Sequence, residues 1–153
     1  MPDPKPESIL IVCLGNICRS PTAEAVLRSK LADAGLGIEV DSAGTGDWHV
    51  GDPPHADMIA AASRAGYDLS QLRARQIVPE DFERFDLILA ADPSNLEDLE
   101  RVRPAGNSTR AVLFAPYAGR GVDAIPDPYH TGDFDGALDL VEAACDGLLS
   151  QLQ

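Results

Sequence analysis

The 153-residue sequence predicts an α/β fold built on a parallel sheet. Short runs rich in Ile, Leu and Val alternate with longer segments of helical periodicity, and no repeat or linker divides the chain. The first such run, residues 9–14, is followed by a short loop and then by apolar residues at helical spacing, which is a βα unit. We therefore expect one three-layer domain over residues 1–153, with helices on both faces of a four-stranded parallel sheet and a flexible segment at 1–7.

The strands and helices follow from the same periodicities. Strands are expected at residues 9–14, 38–42, 86–91 and 110–114. Helices are expected at residues 21–34, 55–65, 79–85, 94–102 and 133–152. For the first helix, Ser20 is the expected N-cap, Pro21 the first helical residue, and Glu24 an acidic residue of the first turn, while Gly35 closes the helix.

Charge excludes several classes of partner. The chain has 12 basic and 25 acidic residues, a net charge of -13, so nonspecific binding to nucleic acid or to an anionic membrane is not expected. No apolar stretch has the length of a signal peptide or a membrane span. We therefore predict a cytoplasmic protein.

Cysteines and histidines argue against a disulfide framework and a metal site. The three cysteines, Cys13, Cys18 and Cys145, are an odd number. The histidines have no ligand spacing, and we interpret them as three separate surface or loop residues. They are His49, His55 and His130. No cofactor is predicted.

The stretch VCLGNICRSP at residues 12–21 has the properties of an anion-binding loop. It lies between a strand and a helix start, where backbone amides and the positive helix end attract anions, and Gly15 allows a tight backbone path. The same field favours a thiolate at Cys13, which would make that residue a nucleophile. Arg19 can clamp two oxygens of a bound phosphate. The alternative is that Cys13 is a small buried residue, since a cysteine and an arginine five residues apart also occur by chance.

The sequence VCLGNICRSPTAE resembles the active-site signature of the low-molecular-weight protein tyrosine phosphatases. The resemblance continues in order through DSAGTGDWHVG, RARQIVPEDFERFDLILAAD, SNLEDL and DPYHTGDFD, and so covers nearly the whole chain. It implies the strand order 2-1-3-4, with the phosphate-binding loop after strand 1. Ligands in such sheets bind at the carboxyl ends of the strands, which agrees with this position.

The resemblance also implies a role for individual residues. Cys13 matches the nucleophile, Arg19 the phosphate clamp and Asp127 the general acid and base. Ser20 matches a hydroxyl that donates to the thiolate, while Asn16 and Ser42 match residues that hold the loop in shape. The backbone amides that match the phosphate cradle are those of Leu14, Gly15, Asn16, Ile17, Cys18 and Arg19. The residues alone do not single out Asp127, because Asp-Pro also occurs at Asp3, Asp52 and Asp92.

The expected substrate is a protein that carries phosphotyrosine. Trp48 and Tyr129 match aromatic residues that flank a slot for a phenyl ring, and Leu14 lines its side. Inorganic phosphate would be both product and inhibitor. Two positions depart from the family pattern. Leu72 stands where many relatives have a histidine that helps to hold the loop asparagine, and His130 stands where a second aromatic residue is common.

Three alternatives remain open. Arsenate reductases of the same fold relay oxidation through two further cysteines near the middle of the chain, where this sequence has none. Arginine phosphatases of the family carry threonine at the position of Ile17, so Ile17 favours tyrosine. The third alternative is a non-catalytic phosphate-binding module.

The second cysteine of the loop has two interpretations. Cys18 is a candidate to capture an oxidised Cys13 as a reversible disulfide. It is otherwise a small apolar residue that fills space under the loop.

Overall fold

The structure is a computed structural model that describes residues 5–153. Its centre is a sheet of parallel strands in the order β2-β1-β3-β4, which confirms the predicted fold class and strand order. The strands are β1 Ser8–Cys13, β2 Glu39–Gly44, β3 Leu87–Ala90 and β4 Arg110–Leu113. In register, Cys13 at the end of the central strand β1 lies opposite Gly44 at the end of its neighbour β2, so the carboxyl ends of these two strands meet at one edge of the sheet.

Helices cover both faces, as expected for a parallel sheet. They are α1 Arg19–Asp33, α2 Ala56–Arg64, α3 Asp81–Arg84, α4 Pro93–Val102, α5 Pro128–Thr131 and α6 Phe134–Leu152. Side chains of β1 alternate between the two layers. Ile9 and Ile11 join a core with α1, α2 and α6, and Leu10 and Val12 join a second core with α3 and α4. The fully buried strand β1 therefore holds the layers together at the base of the loop that follows it.

The start of α1 differs from the prediction. The helix begins at Arg19, two residues before Pro21, and Cys18 occupies the N-cap position with no side-chain cap. Ser20 is therefore not the N-cap, because its hydroxyl lies 3.0 Å from Cys13 Sγ instead. Glu24 lies beyond the first turn and is buried. The expected stop is present, since Gly35 adopts a positive φ of 71° and the amide of Leu36 donates to Leu31 O.

Two short elements were not predicted. A single 3-10 turn spans Ala115–Ala118, and α5 is one turn long. Both have proline in their first turn and are too short to produce a helical periodicity in the sequence. The turn α5 matters for the site, because Asp127 is its N-cap.

Lys5 and Glu7, near the start of the described chain, are bonded to residues distant in sequence. Residues 1–4 lie outside the described part, so the flexibility expected for 1–7 stays a prediction. Lys5 Nζ donates to Gln153 O, and the amide of Glu7 donates to Asp86 Oδ2. Within the described residues, no helix combines the length and apolar character needed to cross a membrane.

Candidate active site

The loop between β1 and α1 turns its carbonyl groups outward. Thr45 N donates to Cys13 O and Gly46 N to Leu14 O, each at 2.9 Å, and His55 N donates to Ile17 O at 2.8 Å. In a trans peptide, the carbonyl and the next amide point in opposite directions. The amides that follow these carbonyls therefore face the inside of the loop, where the uncapped start of α1 adds its own. The result is a concave set of backbone donors suited to an anion.

Cys13 Sγ lies at the base of this set of donors. The amide of Asn16 donates to Sγ at 3.3 Å, and the hydroxyl of Ser20 lies 3.0 Å away. The sulfur is at the carboxyl end of a buried strand and faces the N-terminus of α1, so backbone amides and the positive end of the helix are directed at it.

Asn16 fixes the shape of the loop. Its backbone adopts a left-handed conformation with φ 57°, and the residue is buried. Its side-chain amide nitrogen donates to the hydroxyls of Ser20 at 2.8 Å and Ser42 at 3.0 Å, and its Oδ1 accepts from the amide of Arg75 at 3.0 Å. The three predicted positions Asn16, Ser20 and Ser42 are thus brought together directly under the loop.

A buried carboxylate continues this network. Ser42 Oγ donates to Glu24 Oε1 at 2.6 Å, and Glu24 Oε2 pairs with Arg28 at 2.7 Å. Because a carboxylate accepts only, the single proton of Ser42 goes to Glu24, and Asn16 must donate to both serines. The proton of Ser20 is then left for Cys13 Sγ at 3.0 Å, since its other acceptor, Ala43 O, is 3.5 Å away. The network has one direction, and it ends on the sulfur.

Arg19 is buried and held in one orientation. Its Nη1 donates to Asp92 Oδ2 at 2.7 Å and to Ile125 O at 3.0 Å. Its Nη2 lies 3.6 Å from Asp127 Oδ2. Two carboxylates therefore flank the guanidinium, one bonded to it and one at ion-pair distance.

Asp127 stands at the start of α5. Its Oδ1 accepts from the amide of Tyr129 at 3.1 Å, which fixes the carboxylate and leaves Oδ2 towards Arg19. Asp92 has a different setting. Its Oδ1 accepts from the amide of Asn95 as the N-cap of α4, and its Oδ2 is bonded to Arg19.

A cleft of about 250 Å³ opens above the loop. Its walls bring together the residues predicted for catalysis and for the substrate slot. They are Cys13, Leu14, Gly15, Ile17, Cys18, Arg19, Trp48, His49, Asp127, Tyr129 and His130. The sulfur end is buried, whereas Trp48 is 70% and Tyr129 58% exposed at the mouth. The cleft therefore has a polar base and an aromatic rim.

The three histidines, predicted as separate surface or loop residues, lie around the cleft and the ring of Tyr129. His49 and His130 both line the cleft, and His55 and His130 both pack edge-on against the ring of Tyr129. Residues far apart in sequence meet here because the loop after β2 and the turn α5 lie at the same edge of the sheet. Within residues 5–153, no group of three or more His, Cys, Asp or Glu side chains is arranged to hold a metal ion.

The side chain of Asn16 has both donor and acceptor partners, although Leu72 stands in place of a histidine. The side chain of Leu72 packs against the larger core, and both ends of the Asn16 amide are bonded to Ser20, Ser42 and Arg75. The network around Asn16 is thus complete without a histidine at this position.

The other two cysteines are buried thiols. Burial, together with the nearby Cys13 and Asp127, raises the pKa of Cys18 to about 12. Burial also raises the pKa of Cys145 in α6. Both pKa shifts favour the neutral thiol at neutral pH, and all three cysteines are unpaired.

The sequence did not identify two charged residues as part of the site, Glu24 and Asp92. Glu24 was assigned to the helix dipole, and Asp92 was noted only as one of several Asp-Pro pairs. A signal for Asp92 existed, because Asp-Pro-Ser-Asn directly follows a buried strand and matches a helix start. Glu24 carried no local signal, since its partner Ser42 lies on another element.

The fold and the site together define a class of protein. A parallel sheet carries an anion-binding loop at the carboxyl end of a central strand, with a cysteine sulfur at its base and a buried arginine beside it. This is the arrangement of a phosphatase that uses a cysteine.

Comparison with known proteins identifies the family. The model of the low molecular weight phosphotyrosine protein phosphatase family matches residues 8–153. The Synechocystis protein slr0328 is 45% identical over 150 residues, covering 94% of this chain and 95% of that protein. The low molecular weight protein-tyrosine-phosphatase YfkJ of Bacillus subtilis is 39% identical over 149 residues, covering 95% of this chain and 96% of that protein. The chain belongs to the low molecular weight phosphotyrosine protein phosphatase family, as the sequence predicted, and this is a family of enzymes.

Solved structures agree with this assignment. The crystal structure of YfkJ superposes with a TM-score of 0.90 and covers 95% of this chain and 94% of that one. The Drosophila arginine phosphatase, 34% identical, superposes with a TM-score of 0.89 over 95% of this chain and 97% of that one. The structural neighbours of this chain therefore include a protein named as an arginine phosphatase.

Asn16 contributes both side-chain hydrogen bonds and a left-handed backbone conformation, and the variants Asn16→Ala and Asn16→Gly separate the two contributions. Both variants lose the side-chain hydrogen bonds, but only alanine is strained at a positive φ. We expect both to be less stable than wild type, with alanine about 1 kcal/mol below glycine. Urea unfolding measures the difference. Equal stabilities would mean that the loop relaxes to a different backbone conformation.

Proposed function

We propose that this enzyme hydrolyses phosphotyrosine in proteins, and aryl phosphates in general, through a phosphocysteine intermediate. The observation that carries the proposal is the position of Cys13 Sγ. It lies at the base of the inward amides and receives hydrogen bonds from Asn16 and from Ser20. An anion bound by the amides would hold its central atom over the sulfur, which is the geometry that in-line attack needs.

In the first step, Cys13 attacks phosphorus and the bond to the leaving oxygen breaks. The loop amides from Leu14 to Arg19 stabilise the charge on the equatorial oxygens as it develops. Arg19 clamps two of these oxygens, and its bonds to Asp92 and Ile125 O hold the guanidinium ready before substrate binds.

We assign the general acid to Asp127. Its carboxylate lines the cleft on the side of the aromatic rim, where the leaving oxygen of an aryl phosphate would lie. Both oxygens of Asp92, in contrast, are bonded to Arg19 and to the start of α4. Asp127 protonates the leaving phenolate, then accepts a proton from the water that attacks the phosphocysteine, and the Cys13 thiolate departs.

The rim indicates the substrate class. Trp48 and Tyr129 expose large aromatic surfaces at the cleft, and Leu14 adds an apolar wall. A phenyl ring can pack between them while its phosphate reaches the buried base. Inorganic phosphate, which needs only the loop, is the expected product and inhibitor.

An arginine phosphatase activity is the second candidate, because the Drosophila arginine phosphatase is a close structural neighbour. Ile17 lines the cleft as a branched apolar side chain, which suits an aromatic leaving group better than a polar guanidino group. An arsenate reductase is less well supported. The remaining cysteine, Cys145, is fully buried in α6 and does not line the cleft.

Oxidation is the expected mode of regulation, and a reducing compartment such as the cytoplasm suits the three unpaired thiols. Peroxide would oxidise the Cys13 thiolate to a sulfenic acid and release hydroxide. The Cys18 thiol would then displace water and form a disulfide. Loss of the Cys13 charge on oxidation removes one of the causes that raise the pKa of Cys18, although burial, the largest cause, remains.

The first test is hydrolysis of phosphotyrosine peptides in EDTA. We expect Cys13→Ser to lower turnover at least about a thousandfold, because the nucleophile is lost. Arg19→Lys should lose about a hundredfold or more, because it keeps the charge but not the planar fork. Cys145→Ala, which removes a thiol outside the cleft, is the control and should stay active. Full activity of Cys13→Ser would contradict the phosphocysteine intermediate. A kcat/KM higher for phosphoarginine peptides than for phosphotyrosine peptides would make phosphoarginine the substrate instead.

The second test separates the two aspartates. Asp127→Asn should lower kcat about 10²-fold to 10⁴-fold for phosphotyrosine, whose phenolate needs a proton, and much less for p-nitrophenyl phosphate. Asp92→Asn loosens Arg19 and should therefore affect both substrates alike. A linear free-energy plot over substituted phenyl phosphates measures the difference. Leaving-group dependence in Asp92→Asn alone would show that the acid was misassigned.

The third test concerns oxidation. We expect peroxide to inactivate the enzyme, phosphate to protect it and dithiothreitol to restore most activity. Since attack needs a thiolate and the pKa of Cys18 is raised to about 12, disulfide formation should accelerate as pH rises towards that value. Cys18→Ser should recover a smaller fraction of its own initial activity, and mass spectrometry should detect the link between Cys13 and Cys18 in wild type only. If Cys18→Ser and wild type recover equally and no disulfide between Cys13 and Cys18 is detected, Cys18 only fills space under the loop.

A further inference from the structure

We propose that Gly46 is a positioning residue for the aryl slot, because it is the surface on which the indole of Trp48 rests. The effect on catalysis rests on the proposed function, whereas the contact itself does not. A β carbon added to Gly46 would lie 2.0 Å from Cζ3, 2.3 Å from Cε3 and 3.0 Å from Cη2 of Trp48. The benzo edge of the indole therefore lies directly on Gly46, at a separation that only glycine permits.

The backbone at Gly46 is fixed to the phosphate-binding loop. The amide of Gly46 donates to Leu14 O, and the preceding amide, of Thr45, donates to Cys13 O, both at 2.9 Å. Strand β2 ends just before, at Gly44, whose amide and carbonyl are bonded to Arg75 and Ile77. Moving Gly46 would therefore break a hydrogen bond that orients the loop.

The indole is the part that can move. Trp48 is 70% exposed, so only a minor part of its surface contacts the protein, and its ring is the far end of a flexible side chain. A methyl group at position 46 would displace the ring and leave the backbone in place. The variant should consequently fold, and its phosphate-binding loop should keep its shape.

The expected consequence is a loss of preorganisation. With glycine at 46, the indole lies at the slot before substrate arrives, and binding does not have to order it. With alanine, substrate binding must also order the indole, and the substrate loses part of its contact with the ring. We expect kcat/KM for phosphotyrosine peptides to fall about threefold to tenfold, the range that one aromatic contact represents. Competitive inhibition by inorganic phosphate, which needs only the loop, should be unchanged.

The sole tryptophan of the chain makes the contact directly observable. In Gly46→Ala, the fluorescence of Trp48 should show lower anisotropy and a larger acrylamide quenching constant than in wild type. Gly37→Ala is the matched control. A β carbon at Gly37 meets nothing within 4 Å, and Gly37 is not among the glycines with positive φ. Its fluorescence and kinetics should equal those of wild type.

A double variant tests whether Gly46→Ala lowers kcat/KM by displacing the indole of Trp48. In Trp48→Ala, adding Gly46→Ala should cause no further loss of kcat/KM, because the ring that it displaces is absent. A further loss in that background would mean that alanine acts on the loop, and it would overturn the proposal. Unchanged fluorescence in Gly46→Ala, or changed fluorescence with unchanged kcat/KM, would also overturn it. A wild-type protein that does not hydrolyse phosphotyrosine would refute the proposed function, while the fluorescence comparison would still decide the contact.

Discussion

The outward hydrogen bonds of the loop after β1 are the constraint on which the site depends. Donors from three separate parts of the chain, Thr45 and Gly46, His55, and Thr22 of α1, bind the carbonyls of Cys13, Leu14, Ile17 and Cys18. Each bond turns the next amide inward, so the anion-binding surface is made by the fold around the loop and not by the loop alone. The parallel pairing of β1 with β2 is what brings the segment containing Thr45 and Gly46 to this position.

The side chains under the loop add direction to that geometry. Glu24 accepts, so Ser42 donates to it, Asn16 donates to both serines, and Ser20 is left to donate to Cys13. Exchange of Glu24 for glutamine, which can donate as well as accept, would remove the unique direction. A network in which every proton is committed costs little to keep organised, and it keeps the Ser20 hydroxyl directed at the sulfur.

The sequence was sufficient for the fold, the loop and the family, and insufficient for contacts that tertiary packing creates. The apolar strand and the periodic helices are local patterns, so each was predicted within a few residues. Ser20 was predicted to cap α1 by a local rule, but the sulfur of Cys13 competes for the same hydroxyl. Asp92 pairs with a residue 73 positions away, and His55 contacts Tyr129 only because α5 returns to the cleft. One-turn helices such as α5 have no periodicity to read.

The site consists of a buried base and an exposed rim, which differ in how much structural change they tolerate. The base is buried and consists of backbone amides, Arg19 and committed hydrogen bonds, so its geometry tolerates little change. The rim consists of exposed side chains such as Trp48 and Tyr129, and we expect their replacement to leave the base intact. The two parts are joined at few points, namely at Gly46, which is bonded to Leu14 O, and at Asp127, which is fixed by the amide of Tyr129. On the proposed function, the base carries the chemistry, while the rim together with Ile17 selects the leaving group, so relatives with this fold can act on different phosphorylated side chains.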